Sequence, residues 1–171
     1  MIDKEIEEAI NKQINEEMYS SYLYLSMSAY FESLGLKGFA NWMYVQYQEE
    51  MDHAMKFYRY LIERGGRVKL YAIKEPPHEW ESPLHAFEET LKHERHITKC
   101  INNLVDLAEK KKDRATFNLL QWYVDEQVEE EANDEEIIQK LKMIGDNPQG
   151  LLMLDRELAS RTYVPLVNEE K

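Results

Sequence analysis

A chain of 171 residues, 43% hydrophobic and 32% charged, is long enough to bury a sizeable core and too apolar to stay disordered. Its formal net charge of −12 argues against broad contact with nucleic acid or anionic lipid and suits a protein that attracts cations. The single cysteine, Cys100, excludes an intrachain disulfide. Met1-Ile2-Asp3-Lys4-Glu5 lacks a signal-peptide layout, and no apolar run reaches the roughly 20 residues needed to cross a bilayer, so a cytoplasmic location away from membranes is expected.

Proline-free stretches rich in Glu, Lys, Leu, Met and Ala predict four long helices, near 4–34, 39–65, 83–111 and 114–144, and a short fifth near 148–160. Gly35, Gly38 and Gly65-Gly66 close the first two. Ser82-Pro83 and Asn147-Pro148 each read as an N-cap followed by proline at the first helical position. The break between helices three and four rests on Lys110-Lys111-Lys112-Asp113 alone, with the lysines read as a solvated helix end. Strand alternation competes only around Val68-Lys69-Leu70-Tyr71.

Each long helix carries an apolar stripe with a polar centre. The first runs Ile10, Ile14, Glu17, Ser21, Tyr24, Ser28, Phe31, and the second Phe39, Met43, Gln46, Glu50, His53, Phe57, Tyr60. The third runs Leu84, Phe87, Leu91, Glu94, Thr98, Ile101, Val105. The fourth runs Phe117, Leu120, Val124, Gln127, Glu130, Ile137, Leu141. Short first and third connections predict two antiparallel hairpins. The long second connection can travel the length of a helix, which makes helices two and three parallel. The expectation is an all-α, up-down four-helix bundle with a long crossover and a short C-terminal helix, one domain over residues 1–171, its bundle at about 4–144.

A ligand-like pattern occurs once in each hairpin. From Glu17 to Glu50 and from Glu94 to Gln127 the interval is 33 residues; from Glu17 to His53 and from Glu94 to Glu130 it is 36. Residues three apart share a helix face, so Glu50/His53 and Gln127/Glu130 point inward together. The hairpin turns lie at opposite ends, and both sets fall at the same depth near the middle. Four carboxylates balance two divalent ions, and oxygen donors with one imidazole suit iron or manganese. Without metal the acids would repel, and some would take up protons. Glu49, Glu126 and Glu129 surround the set and would hold a third ion, pass ions onward or form a solvated acidic face. Tyr24 would hydrogen-bond a ligand, donate an electron or simply pack.

The segments Gln13-Ile14-Asn15-Glu16-Glu17, Gly38-Phe39-Ala40-Asn41-Trp42, Gln48-Glu49-Glu50-Met51-Asp52-His53 and Glu126-Gln127-Val128-Glu129-Glu130-Glu131 resemble the non-haem ferritins of bacteria and archaea, and the likeness covers nearly the whole chain. The resemblance implies a ferroxidase centre in which Glu17, Glu50 and His53 bind one iron and Glu50, Glu94 and Glu130 the other. Gln127 and Tyr24 would be near neighbours, with Glu49, Glu126, Glu129 and Glu130 forming an accessory third iron site. It further implies oxidation of ferrous iron by O2 or H2O2, storage as a ferric mineral, and a homo-oligomeric shell of 24 subunits. Met51 aligns with the haem-binding methionine of the bacterioferritin relatives. Those relatives, however, carry a second Glu-x-x-His where this chain has Gln127-x-x-Glu130, so no haem is expected. His78, His85, His93 and His96 are expected at the surface, Cys100 in the core, and the apolar face of the fifth helix against other subunits.

Overall fold

The computed structural model describes residues 1–166. It contains α1 (Lys4–Ser33), α2 (Lys37–Glu63), α3 (Pro83–Lys110), α4 (Arg114–Ile144) and α5 (Pro148–Leu158). The predicted helices are all present, with ends displaced by at most two residues, and no strand forms among the described residues, Val68–Tyr71 included. No helix among them is long and apolar enough to cross a membrane.

Local chemistry sets the helix ends. The Asp3 carboxylate accepts from the amides of Glu5 and Ile6, and Ser82 and Asn147 cap α3 and α5 ahead of their prolines. At Gly35 (φ +73°) the chain leaves α1 in the left-handed region, and the Leu36 amide bonds back to the Phe31 carbonyl. The α3–α4 turn achieves the same with a lysine, Lys112 at φ 56°. Asp113 then caps α4 through the Thr116 amide at 3.0 Å and takes two hydrogen bonds from Arg64 at 3.0 and 3.1 Å. Lys110 and Lys112 are exposed, as a solvated helix end requires, whereas Lys111 pairs with Asp3 and Glu5.

α1 packs on α2 and α3 on α4, and the hairpins meet where α1 approaches α3. The crossover, residues 64–82, is hydrogen-bonded to α1 along its course. Asn11 holds Arg67 and Lys69, Asn15 holds Tyr71 and Ala72, and Ser26 holds Pro77. It ends where Trp80 packs on Tyr30. The connection therefore climbs parallel to α1 and delivers α3 parallel to α2.

Two apolar clusters fill the bundle. One gathers Phe31, Phe39, Met43, Phe87 and Leu141; the other gathers Ile10, Ile14, Phe57, Ile101 and Leu120. Between them lies a layer of buried polar groups. The stripe of α3 is rotated from its predicted face. Phe87, Thr90, Glu94, Ile97, Ile101, Leu104 and Ala108 are buried, whereas Leu84, Leu91, Thr98 and Val105 lie on the flank. β-Branched and small residues on both faces made the phase ambiguous.

The fifth helix also departs from expectation. Leu154 and Leu158 turn inward onto α2 and the core, and only Leu152 and Met153 stay largely exposed. Close approach is possible because residue 38 is glycine, since a Cβ there would stand 1.6 Å from the Asp155 carbonyl oxygen. The same Asp155 caps α2 through the Phe39 amide at 3.0 Å.

Candidate metal centre

The polar layer is built from the middle turns of the four long helices. α1 supplies Glu17 and Tyr24, α2 supplies Gln46, Glu50 and His53, α3 supplies Glu94, and α4 supplies Gln127 and Glu130, all of them buried. Ligand-capable atoms of Glu17, Glu50 and His53 lie within 4.8 Å of one another, and so do those of Glu50, Glu94 and Glu130. The two groups share Glu50, which lies between the hairpins.

Amides hold the carboxylates. Gln13 donates to Glu17 at 2.9 Å, and Gln46 donates to Glu50 at 2.9 Å and to Glu130 at 2.8 Å. Gln127 donates to Glu94 at 3.0 Å, and the Tyr24 hydroxyl donates to the other oxygen of Glu94. His53 presents Nδ1 to Glu50 at 3.1 Å and Nε2 towards Glu126 at 3.7 Å. Tyr123, packed face to face on Phe57, donates to the His53 carbonyl at 2.8 Å and holds that turn.

The buried acids shift one another's titration. Burial pushes the Glu17, Glu50 and Glu130 carboxyls well above the usual range. The charge of Glu50 adds to the shift at Glu17, and that of Glu94 adds at Glu50 and Glu130. Burial also raises Glu94, against hydrogen bonds from Tyr24 and Gln127. Oε2 of Glu17 is buried without a hydrogen-bond partner. A buried acceptor with no donor, at the edge of three other acids, is the kind of atom a cation satisfies. The donor set is oxygen with one imidazole and no thiol, which fits hard to borderline divalent ions.

Glu49, Glu126, Glu129 and Glu130 line one cavity of about 200 Å³ with His53 and Asp52. His53, Glu126 and Glu130 alone bring ligand atoms within 4.8 Å of one another. Glu49 is otherwise engaged, because Arg161 donates to it at 2.7 Å. The outer acids therefore share a cavity but not yet a common ligand point.

Four residues were not anticipated at the site: Gln13, which holds Glu17, Gln46, Asp134 and Arg161. Gln46 and Asp134 lie on the α2 and α4 stripes, four positions from Glu50 and Glu130, and a polar residue on an apolar stripe was the available signal. Asp134 is 4% exposed, its Oδ2 has no hydrogen-bond partner, and burial and Glu94 raise its pKa well above the ordinary value. Arg161 follows the last helix and gave no signal. Two other expectations are corrected. His93 is mostly buried, bonded to Ser20 at 2.7 Å, and burial lowers its pKa to about 4. Cys100 is not in the core but half-buried on the α1–α3 seam. His78 and His96 are exposed and His85 is half-exposed, while Met51 is half-buried.

A family model described as a ferritin-like domain matches residues 7–144. The chain is 48% identical over 161 residues to a bacterial non-heme ferritin of Bacteroides fragilis, covering 94% of this chain and all of that one. It is 44% identical over 156 residues to a bacterial non-heme ferritin of Campylobacter jejuni, covering 91% and 93%. Among solved structures, an open-pore ferritin of Archaeoglobus fulgidus superposes with a TM-score of 0.93 at 58% identity, covering 94% of this chain and 98% of that one. A closed form engineered from the ferritin of that organism superposes at 0.95 and 57%, covering 96% and 100%.

Proposed function

The chain belongs to the ferritin family, and on that footing we propose that it is an iron-storage subunit whose bundle interior oxidises ferrous iron. Glu17, Glu50 and His53 take one ferrous ion, and Glu50, Glu94 and Glu130 take a second. Each ion gives up one electron. Dioxygen, with two protons, leaves as hydrogen peroxide; hydrogen peroxide as oxidant, with two protons, leaves as two waters. The observation that carries this reading is the pair of buried ligand groups sharing Glu50, with an unpartnered oxygen on Glu17.

The residues divide the work. Gln13 and Gln46 hold one oxygen of Glu17 and one of Glu130 and leave the other oxygen of each to ligate, while Gln46 and Gln127 orient Glu50 and Glu94. Tyr24 holds Glu94 from the far side. Entering ions displace protons from acids that burial has raised, so binding and proton release are coupled. Oxidation raises the charge on each ion and acidifies bound water, which favours hydroxide-bridged ferric product.

Glu49, Glu126, Glu129 and Glu130 form the accessory site through which ions pass. There Arg161 acts as a tethered cation, bonded to Glu49 and to Gln46 Oε1, and an ion settling among these acids must displace it. The product accumulates as ferric mineral inside a hollow homo-oligomer of 24 copies, each a single domain over residues 1–171, of which 167–171 lie outside the described residues. A cytoplasmic setting suits a chain with one thiol.

Rapid mixing of anaerobically loaded protein with dioxygen tests the reading. The fast absorbance change should grow up to two ferrous ions per chain and then level off. Iron taken up without a fast phase at that ratio would instead mark an inert storage shell.

A further inference from the structure

We propose that Glu16, His96 and Cys100 form a second metal site, for a single borderline divalent cation of the zinc class, on the seam between α1 and α3. His96 and Cys100 lie four residues apart on one face of α3, and Glu16 reaches them from α1. His96 Nε2 is 3.1 Å from Glu16 Oε2 and 3.6 Å from Cys100 Sγ, and ligand atoms of all three lie within 4.8 Å of one another.

These separations match the edges of a small tetrahedron. With metal–sulfur near 2.3 Å and metal–nitrogen or –oxygen near 2.0–2.1 Å, a tetrahedral ion spaces sulfur from nitrogen by about 3.5 Å and nitrogen from oxygen by about 3.4 Å. Nε2 sits at the vertex shared by both measured edges. Shifts of a few tenths of an ångström, within reach of an exposed His96 and a half-buried Glu16, would admit the ion. His93, one turn earlier, is already bonded to Ser20, which leaves the fourth position open to water.

The donor set names the ligand class. A thiolate with an imidazole disfavours magnesium and calcium and selects zinc, cobalt or copper-type ions, unlike the all-oxygen-and-imidazole centre inside the bundle. Burial and the charges of Glu16 and Glu17 push the free Cys100 thiol up to about 11, so the ion binds by displacing that proton. Since α1 and α3 belong to different hairpins, the bound ion staples the two halves of the bundle together.

Cobalt(II) is the probe, added anaerobically to the intact protein. Cys100 is the only thiol in the chain, so a thiolate-to-cobalt charge-transfer band reports this site alone and not the carboxylate centre. The band should saturate at one cobalt per chain, vanish on zinc addition, and be lost in Cys100→Ser and in His96→Ala while persisting in His53→Ala. Zinc should also raise the melting temperature of wild type more than that of Cys100→Ser. Absence of the band in wild type, or its survival in His96→Ala, overturns the proposal and leaves the ferroxidase reading untouched.

Discussion

Arg161 Nη2 lies 2.7 Å from Glu49 Oε2 and lines the acidic cavity with a guanidinium that follows α5. The same nitrogen donates to Gln46 Oε1 at 3.0 Å, and Gln46 donates onward to Glu50 and Glu130. Stacking over the Trp42 ring at 4.1 Å keeps the guanidinium in place. A residue beyond the last helix is thus linked, through one amide, to two of the buried acids.

Replacing Arg161 with Gln should therefore free Glu49 for metal. The pair is 15% and 27% exposed, so solvent screens it, and about 1 kcal/mol is at stake, equivalent to about a fivefold gain in affinity for the outermost ion. Anaerobic calorimetry with ferrous iron should show the weakest of the bound ions tightening while the two inner ones change little. An unchanged isotherm would mean that Arg161 does not compete for the cavity.

His53→Ala and Glu130→Ala each remove a ligand from a different proposed ion position. Each should slow the fast oxidation phase by at least about tenfold, equivalent to 1.4 kcal/mol or more of barrier. Circular dichroism and particle size should match wild type, because the apolar clusters above and below the layer are untouched. Wild-type rates in both variants would refute the ligand assignment.

Metal-free protein should lose stability as pH rises. Glu17, Glu50, Glu94 and Glu130 all have folded pKa values raised above the ordinary 4.5. Above 4.5 the unfolded chain has released these protons while the folded chain retains them. Their contribution is complete below about 4.5 and falls away as pH climbs through the raised values. Thermal melts of chelator-treated protein should drop as pH rises above about 4.5, and divalent metal should reverse the drop. Glu17→Gln should flatten the metal-free profile, and a profile already flat in wild type would sink the idea of unbalanced buried acids.

Gly38→Ala should detach α5. Its Cβ would stand 1.6 Å from a backbone oxygen, a clash that only backbone movement relieves, at a cost of about 2–4 kcal/mol. Asp155→Ala removes only the cap on the Phe39 amide and should cost about 1 kcal/mol. Urea denaturation separates the two, and equal small effects would mean that α5 is loosely held.

The helices and the central acids were legible in the sequence because they rest on local periodicity, and the crossover because the length of the second connection fixes how far it can reach. Carboxylates at helical spacing on otherwise apolar stripes announce themselves, as Glu17, Glu50, Glu94 and Glu130 did. Asp134 obeys the same rule, one turn beyond Glu130, and was passed over. The phase of α3 was misread because its apolar residues are spread widely enough to define two faces, and only contact with α1 and α4 chooses between them.

What the chain determines by itself is the count and polarity of the helices and the depth at which acids are buried, since propensity and hydrophobic spacing act within a few residues. What the tertiary structure alone decides is which distant groups meet. Asp155 caps α2 across the bundle, Arg161 reaches Glu49, and Glu16 of α1 meets His96 of α3. These pairings depend on ångström-scale approach between helices, and no spacing along a single helix encodes that.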